Sequence, residues 1–376
     1  MDTRSPILAE RRLQSIEQAR RQVLVEGRGW PAPMLTPQRA WIERSWRRCL
    51  ASGLDPARQV EFDSVSVAQL RGSAEQHHAL LQAARPVLDG LVHAIARTRY
   101  FALLTDADGV VIEVAGPVDH ADRHAHAIAR VGVDLSEPHI GTSAIGAALG
   151  EQHPVWLHRG EHFFADTAVY SCAGAPLFGA DGRCVGMLDL TGVHTVERPE
   201  LMHMAARAAQ CIGNALVFAQ PHALALRLNW PGQALGGEDD GLIALDADGW
   251  IHAANPAART MLPALALGDV AVHAEEVFAI DLGRLFDSTR WGTASAAQPV
   301  DVALWSGLRV QAASVDAANG PECITAQPPG AALSLRAVED ALVRRAVDAA
   351  HGNVARAAKA LGVSRATVYR KLGQRR

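Results

Sequence analysis

"YFALLTDADGVVIEVAG", residues 100–116, consists of two apolar runs rich in strand-forming residues, joined by Asp108-Gly109. Asp-Gly favours the tight turn of a β-hairpin because glycine readily adopts the positive φ that such a turn needs. The same Ala-Asp-Gly turn recurs in "APLFGADGRCVGMLDL" (175–190) and in "GLIALDADGWIHAAN" (241–255). Two hairpins close together and a third farther along predict two antiparallel-sheet domains of a sensor type.

The segment between the first two hairpins predicts a helix-like stretch at 139–151, a strand at 153–158 and a loop at 159–171. A long helix with one apolar face is predicted at about 197–219. Residues 220–238 lack a clear pattern of either kind, and we expect a connector there.

Helical spacing of apolar residues precedes the first hairpin. It predicts one helix at 7–25, a second within 37–56, and a third over about 66–98 that is interrupted at Pro86. After the third hairpin, Asn255 and Pro256 favour the start of a helix, because asparagine caps free N–H groups and proline suits the first turn.

Length and composition set the class of protein. A chain of 376 residues favours two or three domains. It has no apolar run of 18 residues and no secretory signal at its start, so we expect a cytoplasmic protein that does not engage a membrane. Its five cysteines show no CxxC spacing, which argues against a disulfide framework and against a zinc site.

The charge is unevenly distributed along the chain. The whole chain carries −4, whereas residues 336–376 hold ten Lys or Arg and three acidic residues, a net +7, which leaves −11 for the rest. An acidic body with a basic tail is expected when one small domain contacts the phosphates of DNA.

The tail "GNVARAAKALGVSRATVYRKL" (352–372) predicts a helix-turn-helix that follows an amphipathic helix at 335–349. Gly362 suits the turn and Ser364 can cap the last helix. Side chains near the start of such a helix reach base edges, and later basic ones hold phosphates. A basic helical hairpin that packs on the body is the alternative. The predicted DNA-binding residues are Asn353, Arg356, Ser364, Arg365, Thr367, Tyr369, Arg370 and Lys371.

This tail closely resembles the Fis-type C-terminal domain of the sigma-54-dependent bacterial activators. The resemblance implies that residues 334–350 pair two subunits and that 364–372 form the recognition helix. A homodimer would then bind double-stranded DNA at an inverted-repeat operator.

The family normally carries a central ATPase with a GxxxxGK[ST] phosphate loop. Lysine occurs only at 359 and 371, so these residues contain no such loop. We therefore predict a regulator without the ATPase domain. Such a regulator would act with a further partner, either RNA polymerase or a separate enhancer-binding protein.

The body resembles the regulators of acetoin catabolism. The resemblance rests on "RSWRRCLASGLDP" (44–56), on "GTSAIGAALGEQHPVWLHRGEHF" (141–163) and on "YSCAGAPLFGADGRCVGMLDLTG" (170–192). Ser143 stands where the family usually has Asn, and Tyr170 where it usually has Trp. Residues 236–325 resemble a PAS domain more loosely.

These resemblances imply an α+β multidomain chain. A GAF domain, an antiparallel sheet with helices, is followed by a PAS-like α+β domain and an all-α Fis-type helix-turn-helix. The expected boundaries are listed in chain order: an N-terminal helical segment at 1–65, the GAF sensor at 66–219, a linker at 220–235, the PAS-like domain at 236–325, a linker at 326–333 and the DNA-binding domain at 334–376.

A GAF fold holds a ligand cup on one face of its sheet, and apolar walls with a few polar anchors suit a small organic effector. The residues that we expect near the cup are Trp156, His158, His162, Phe163, Phe164, Tyr170, Cys172, Met187 and Asp189. Each of them can instead be an ordinary core residue. No cofactor is predicted, because "GTSAIG" (141–146) is not a GxGxxG motif.

His120, His124 and His126 invite a metal interpretation, but a solvated polar helix or loop fits three nearby histidines better, since a site needs further aligned ligands. No catalytic residues are predicted, and the chain is expected not to be an enzyme. The leading hypothesis is a transcriptional regulator controlled by a small metabolite. The alternatives are a co-regulator or anti-activator that acts with a full-length sigma-54 activator, and a redox sensor that uses Cys172.

Overall fold

The structure is a computed structural model that describes residues 4–30, 39–66, 75–267, 271–290 and 299–315. In the tail it describes 354, 356, 358, 365, 367 and 368. The chain divides into two compact units, Met1–Thr325 and Ala326–Arg376. In the described part of the chain, no helix is both long enough and apolar enough to span a bilayer.

The N-terminal segment forms two helices. Helix α1 covers Arg4–Arg20 and continues as a π-helical turn at Arg21–Val25, and helix α2 covers Ala40–Ala51. Both helices agree with the sequence prediction. Buried Trp46 of α2 stacks on Trp30, with ring centroids 5.0 Å apart, so apolar packing joins α2 to the segment that follows α1.

The first sheet has five antiparallel strands in the order β2-β1-β5-β4-β3. The strands are β1 Tyr100–Asp106, β2 Val111–Ala115, β3 Val155–His158, β4 Tyr170–Phe178 and β5 Cys184–Val193. The helices around it are α3 His78–Ile95, α4 Arg123–Ile128, α5 Glu137–Ile140, α6 Ala144–Glu151 and α7 Leu201–Phe218.

Side chains alternate between the two faces of this sheet, as the period of a strand requires. Ala102 and Leu190 pack under α3 and α7, whereas Leu103 and Met187 belong to the core on the opposite face. The opposite face is covered by α4, α5 and α6 and by the N-terminal helices. An antiparallel sheet with long helices on one face is the arrangement that the resemblance to a GAF domain implies.

Helix α3 runs through Pro86 without a break, so the predicted interruption is wrong. Proline in a helix interior removes one backbone hydrogen bond. The apolar face of α3 outweighs this loss: Ala84, Val87, Leu88 and Leu91 are buried against the sheet.

The second sheet has six antiparallel strands in the order β10-β11-β6-β7-β8-β9. The strands are β6 Leu224–Asn229, β7 Gly241–Leu245, β8 Trp250–Ala254, β9 Val272–His273, β10 Val300–Ala303 and β11 Arg309–Ser314. Its helices are α8 Pro256–Met261, α9 Ala274–Val277 and α10 Leu282–Arg290.

Residues 220–235 are not the linker that the sequence predicted, because β6 lies inside the second sheet between β11 and β7. Leu224, Leu226 and Leu228 alternate with less apolar positions and enter the core of this sheet. The alternation of apolar and less apolar residues was visible in the sequence. The segment was not predicted as a strand, because no Gly-containing hairpin turn joins it to a recognised strand before it.

All three predicted hairpins are present, and glycine closes each turn with positive φ: +87° at Gly109, +83° at Gly182 and +93° at Gly249. In the first turn, Asp106 Oδ1 accepts hydrogen bonds from the backbone N–H groups of Asp108 (3.0 Å) and Val110 (2.9 Å). Asp246 does the same in the third turn. In these two hairpins, an aspartate that follows or ends the first strand therefore stabilises the turn that contains Asp-Gly.

In the tail, the described residues are helical at 354, 356 and 358 and again at 365, 367 and 368. Ala358 and Val368 are buried together in one small apolar cluster, and Val354 packs against it. This contact joins two helical stretches, as a helix-turn-helix requires. The predicted pairing helix at 334–350 lies outside the described residues.

Candidate ligand cavity and DNA-binding tail

A small cavity lies on the face of the first sheet away from α3 and α7. It encloses about 30 Å³, enough for about two water molecules. Its walls are formed by Phe62, Leu103, Ile128, Leu135, Ile140, Ser143, Ala144, Ile145, His162, Thr167, Tyr170, Cys172, Asp189 and Thr191. The lining is mostly apolar, with a few polar groups that converge from β4, β5 and the loop at 159–169.

Four of the predicted cup residues, His162, Tyr170, Cys172 and Asp189, line this cavity. Tyr170 is anchored there because its hydroxyl donates to the carbonyl oxygen of His124 at 3.0 Å. Burial raises the pKa of Tyr170 well above its usual value, so the phenol stays protonated.

The other five predicted residues lie elsewhere. Phe163 and Phe164 are fully buried and form an edge-to-face pair with ring centroids 5.0 Å apart. His158 Nδ1 is 2.7 Å from Ser171 Oγ. Trp156 lies under the guanidinium of Arg39, and Met187 fills the space beside Gly174. These residues stabilise the fold around the cavity and do not line it.

Asp189 is 1% exposed, and Thr191 and the Cys172 thiol both interact with its carboxyl group. Oδ2 accepts a hydrogen bond from Thr191 Oγ1, whereas Oδ1 has no hydrogen-bond partner. Burial raises the pKa of Asp189 to about 7, because the charged carboxylate loses the water that would otherwise stabilise it. At neutral pH a large fraction of this carboxyl is therefore protonated and able to donate from Oδ1.

His162 is also buried, at 2% exposed, and it offers a hydrogen-bond acceptor where Asp189 offers a donor. Its Nδ1 lies 2.9 Å from the carbonyl oxygen of Arg159, which can only accept, so Nδ1 carries the proton. Burial lowers the pKa of His162 to about 4, which keeps the ring neutral. Nε2 then presents a lone pair, and this atom has no partner.

Buried polar atoms without partners are rare in folded proteins. Here two of them, Asp189 Oδ1 and His162 Nε2, belong to residues that line one cavity. The site can therefore donate one hydrogen bond and accept another within apolar walls.

Cys172 also lines the cavity, with Sγ 3.5 Å from Thr191 Oγ1. Burial raises the pKa of the Cys172 thiol well above its usual value. A thiol that stays protonated is a poor nucleophile, so this environment does not favour oxidation.

The three histidines of the metal interpretation do not form one group. His120 faces His126 with ring centroids 6.4 Å apart, whereas His124 faces His194 at 5.7 Å. Asp122 caps helix α4 by accepting from the N–H groups of His124 and Ala125. The segment is a short capped helix at the edge of the cavity.

The structure describes three of the eight predicted DNA-binding residues. Arg356 and Arg365 are exposed, and Thr367 is half-buried beside the Ala358–Val368 contact. The remaining five, Asn353, Ser364, Tyr369, Arg370 and Lys371, lie outside the described residues.

The family described as "MimR, N-terminal domain" matches residues 16–214, more than half of the chain. The chain belongs to this family. Residues 334–374 match a second family, "Bacterial regulatory protein, Fis family". The second match confirms the Fis-type tail that the sequence predicted from its resemblance to the sigma-54-dependent activators.

Curated relatives confirm the resemblance to the regulators of acetoin catabolism. The acetoin catabolism regulatory protein of Cupriavidus necator is 31% identical over 59% of this chain and 34% of its own length. The acetoin dehydrogenase operon transcriptional activator AcoR of Bacillus subtilis is 30% identical over 45% of this chain and 28% of its own length. The propane 2-monooxygenase operon transcriptional activator MimR of Mycolicibacterium goodii is 28% identical over 42% of this chain and 27% of its own length. This MimR-type chain thus spans about a third of the length of these relatives.

Among solved structures, a chain in the crystal structure of the E. coli DhaR(N)–DhaL complex aligns with a TM-score of 0.44 at 14% identity. The alignment covers 73% of this MimR-type chain and 99% of that chain.

Sequence reasoning missed several lining residues. Thr191 had a usable signal, because it follows Asp189 by two positions and therefore lies on the same face of β5. Ser143 caps α6 by accepting from the N–H of Gly146 at 3.1 Å, and it faces the cavity as well. Phe62, Ile128 and Leu135 carry no local signal, since only the tertiary fold brings them to this face.

Proposed function

We propose that this MimR-type protein is a DNA-binding transcriptional regulator whose first sheet binds a small neutral metabolite. The observation that carries the proposal is the pair of buried polar atoms without partners, His162 Nε2 and Asp189 Oδ1, in a chain with a Fis-type tail. A site of this kind discriminates strongly, because a ligand that leaves such atoms unpaired forfeits the hydrogen bonds that compensate their burial.

The expected effector carries a hydroxyl and a second oxygen. Its hydroxyl donates to His162 Nε2, and its other oxygen accepts from the protonated carboxyl of Asp189. The apolar walls accept a short carbon chain and disfavour a charged group, since a buried charge without a partner costs much free energy. Two relatives are named for acetoin catabolism and for the acetoin dehydrogenase operon. Acetoin, a hydroxyketone, is therefore the first compound to test.

Effector binding would favour one arrangement of the sensor and thereby change operator binding by a dimer of the tail. It can shift this equilibrium only as far as its affinity differs between the two states. We further propose that the PAS-like second sheet connects the sensor to the tail.

We propose that the energy for opening DNA comes from another protein. Lysine occurs only at 359 and 371, so the 376 residues hold no lysine for an ATPase phosphate loop between the sensor and the tail. The regulator would then act with RNA polymerase or together with a complete enhancer-binding activator.

The test combines two measurements on the full chain. Acetoin, 2,3-butanediol and, as the charged comparison, acetate are added in a thermal-shift assay, since a ligand that binds only the folded state stabilises it by RT ln(1 + [L]/Kd). Operator binding is then followed by gel shift on the DNA upstream of the protein's own reading frame, with and without each compound.

A thermal shift with the neutral compounds, its loss in Asp189→Leu or His162→Leu, and a changed gel shift are expected. Tyr170→Phe is the matched variant within the same wall, because the hydroxyl that it removes already donates its proton to the carbonyl oxygen of His124. Stabilisation by acetate alone, or equal shifts in all variants, would count against the proposed pair.

A further inference from the structure

Three arginines of the N-terminal segment hold the loop at 158–164, which contributes His162 to the wall of the cavity. We call Arg12, Arg20 and Arg39 the N-terminal clamp. Arg20 donates to three carbonyl oxygens of this loop: Gly160 at 2.8 Å, Phe163 at 2.9 Å, and His162. Helix α1 also packs closely there, because a Cβ at Gly160 would lie 3.1 Å from both Ile16 and Arg20 side chains.

Glu161 is the centre of the charge interactions in the loop. Its side chain is fully buried, and Oε1 contacts both Arg12 and Arg39. Oε2 accepts from the backbone N–H of His158 at 2.8 Å, which closes the start of the loop. Because a buried carboxylate needs its partners, the position of the loop depends on two arginines that lie far away in sequence.

Aromatic rings complete the contact. The guanidinium of Arg39 lies 4.1 Å from the ring centroid of Trp156, and that of Arg12 lies 5.5 Å from it. Trp46 of α2 donates from Nε1 to the carbonyl oxygen of Glu161 at 2.9 Å. The N-terminal helices and the loop are thus one connected structure around Glu161.

The cavity behind this loop is too small for an organic ligand. It encloses about 30 Å³, whereas ligand pockets usually measure about 300–1,000 Å³. His162 belongs to the clamped loop and also lines the cavity. A ligand that engages His162 therefore has to displace the wall that the clamp holds.

We propose that the N-terminal clamp gates the cavity: the wall opens when the loop at 158–164 separates from Arg12, Arg20 and Arg39. Occupancy of the cavity is then transmitted to helices α1 and α2, which move with their arginines. This inference rests on the proposed function for its ligand, but the gate itself can be measured without any effector or DNA.

Cys172 reports on the opening, because it lines the cavity and is buried when the wall is closed. The full chain is treated with methyl methanethiosulfonate, and modification of each cysteine is followed by peptide mass spectrometry. Cys211 serves as the internal reference, since it is buried in the separate core between α7 and the first sheet.

Arg20→Gln is the principal variant, and Arg11→Gln is its control, because Arg11 is exposed on the same helix and carries the same charge. Arg12→Gln is the second variant. It removes one of the two guanidiniums at Glu161 and spares Arg20, so it perturbs the fold less.

Modification of Cys172 is expected to accelerate on the order of tenfold in Arg20→Gln and in Arg12→Gln, since local opening then loses part of its barrier. Modification of Cys211 stays at the wild-type rate, and Arg11→Gln matches wild type at both cysteines. An unchanged Cys172 rate would mean that the cavity opens elsewhere and would overturn the gate. Equal acceleration at Cys172 and Cys211 would also overturn it, because the clamp would then only stabilise the whole fold.

Discussion

Asn255 donates a hydrogen bond from Nδ2 to Oδ1 of Asn214 at 2.9 Å, and both side chains are buried. Asn214 lies on α7, which packs on the first sheet, and Asn255 precedes α8 of the second sheet. Apolar contacts of Val217 and Phe218 with β7 and β8 surround this pair. The long helix is therefore shared by the two sheets.

Asn255→Ala is expected to destabilise the protein by about 2–4 kcal/mol, because the side chain satisfies several buried groups at once. Its Oδ1 accepts from the N–H groups of Leu242 and Ala258, and its Nδ2 also donates to the carbonyl oxygen of Asp240. Urea unfolding measures the change. Thr260→Ala on the exposed side of the same helix is the control and should stay within about 0.5 kcal/mol of wild type.

Asp189→Asn is expected to change how stability depends on pH. Burial raises the pKa of Asp189 from 3.8 to about 7, so the folded state binds a proton that the unfolded state releases between these values. This residue's contribution to stability is therefore greatest below pH 4 and is lost as the pH rises toward 7. The asparagine variant cannot titrate and lacks this loss.

The free energy of unfolding of wild type minus that of Asp189→Asn should fall between about pH 4 and pH 7 and then level off. The slope is at most about 1.4 kcal/mol per pH unit. The pKa of His162 is lowered to about 4, so this residue adds stability as the pH rises from 4 to 6.5, which is opposite to the effect of Asp189. The His162 effect is present in both proteins and cancels in the difference. Parallel pH profiles would contradict the perturbed carboxyl.

Gly141→Ala is expected to cost more stability than Gly232→Ala, although both glycines have positive φ, +64° and +90°. A Cβ at Gly141 would lie 2.7 Å from Cβ of Phe163, whereas nothing lies within 4 Å of one at Gly232. Gly232→Ala should cost about 1–2 kcal/mol from backbone conformation alone, and Gly141→Ala should exceed this because Phe163 must move. Equal melting temperatures would contradict the close contact.

In the tail, Arg365→Ala is expected to weaken operator binding by about 1–3 kcal/mol without loss of structure, because Arg365 is exposed on the second helical stretch. Val368→Asp should abolish binding by placing a charge in the Ala358–Val368 contact. Gel-shift titrations and circular dichroism distinguish the two effects. Arg85→Ala removes the same charge from an exposed site in the body and should leave affinity unchanged.

Local patterns predicted most of the elements correctly. The hairpin at Asp108-Gly109 and the cap at Asn255 depend on a few neighbouring residues, so they were visible in the sequence. Pro86 and strand β6 were assigned wrongly, because each depends on packing partners that lie far away in the chain. Four of nine predicted cup residues line the cavity, and the alternation along β5 would have added Thr191.

The sequence by itself determined the hairpins, the MimR-type body, the Fis-type tail and the absence of a lysine for a phosphate loop within these residues. Only the tertiary structure decided which atoms lie buried without partners. His162 and Asp189 look ordinary in the sequence, and their pKa shifts arise because packing removes water from both. Desolvation depends on residues that surround a group from several distant segments, so it appears only when the chain is folded.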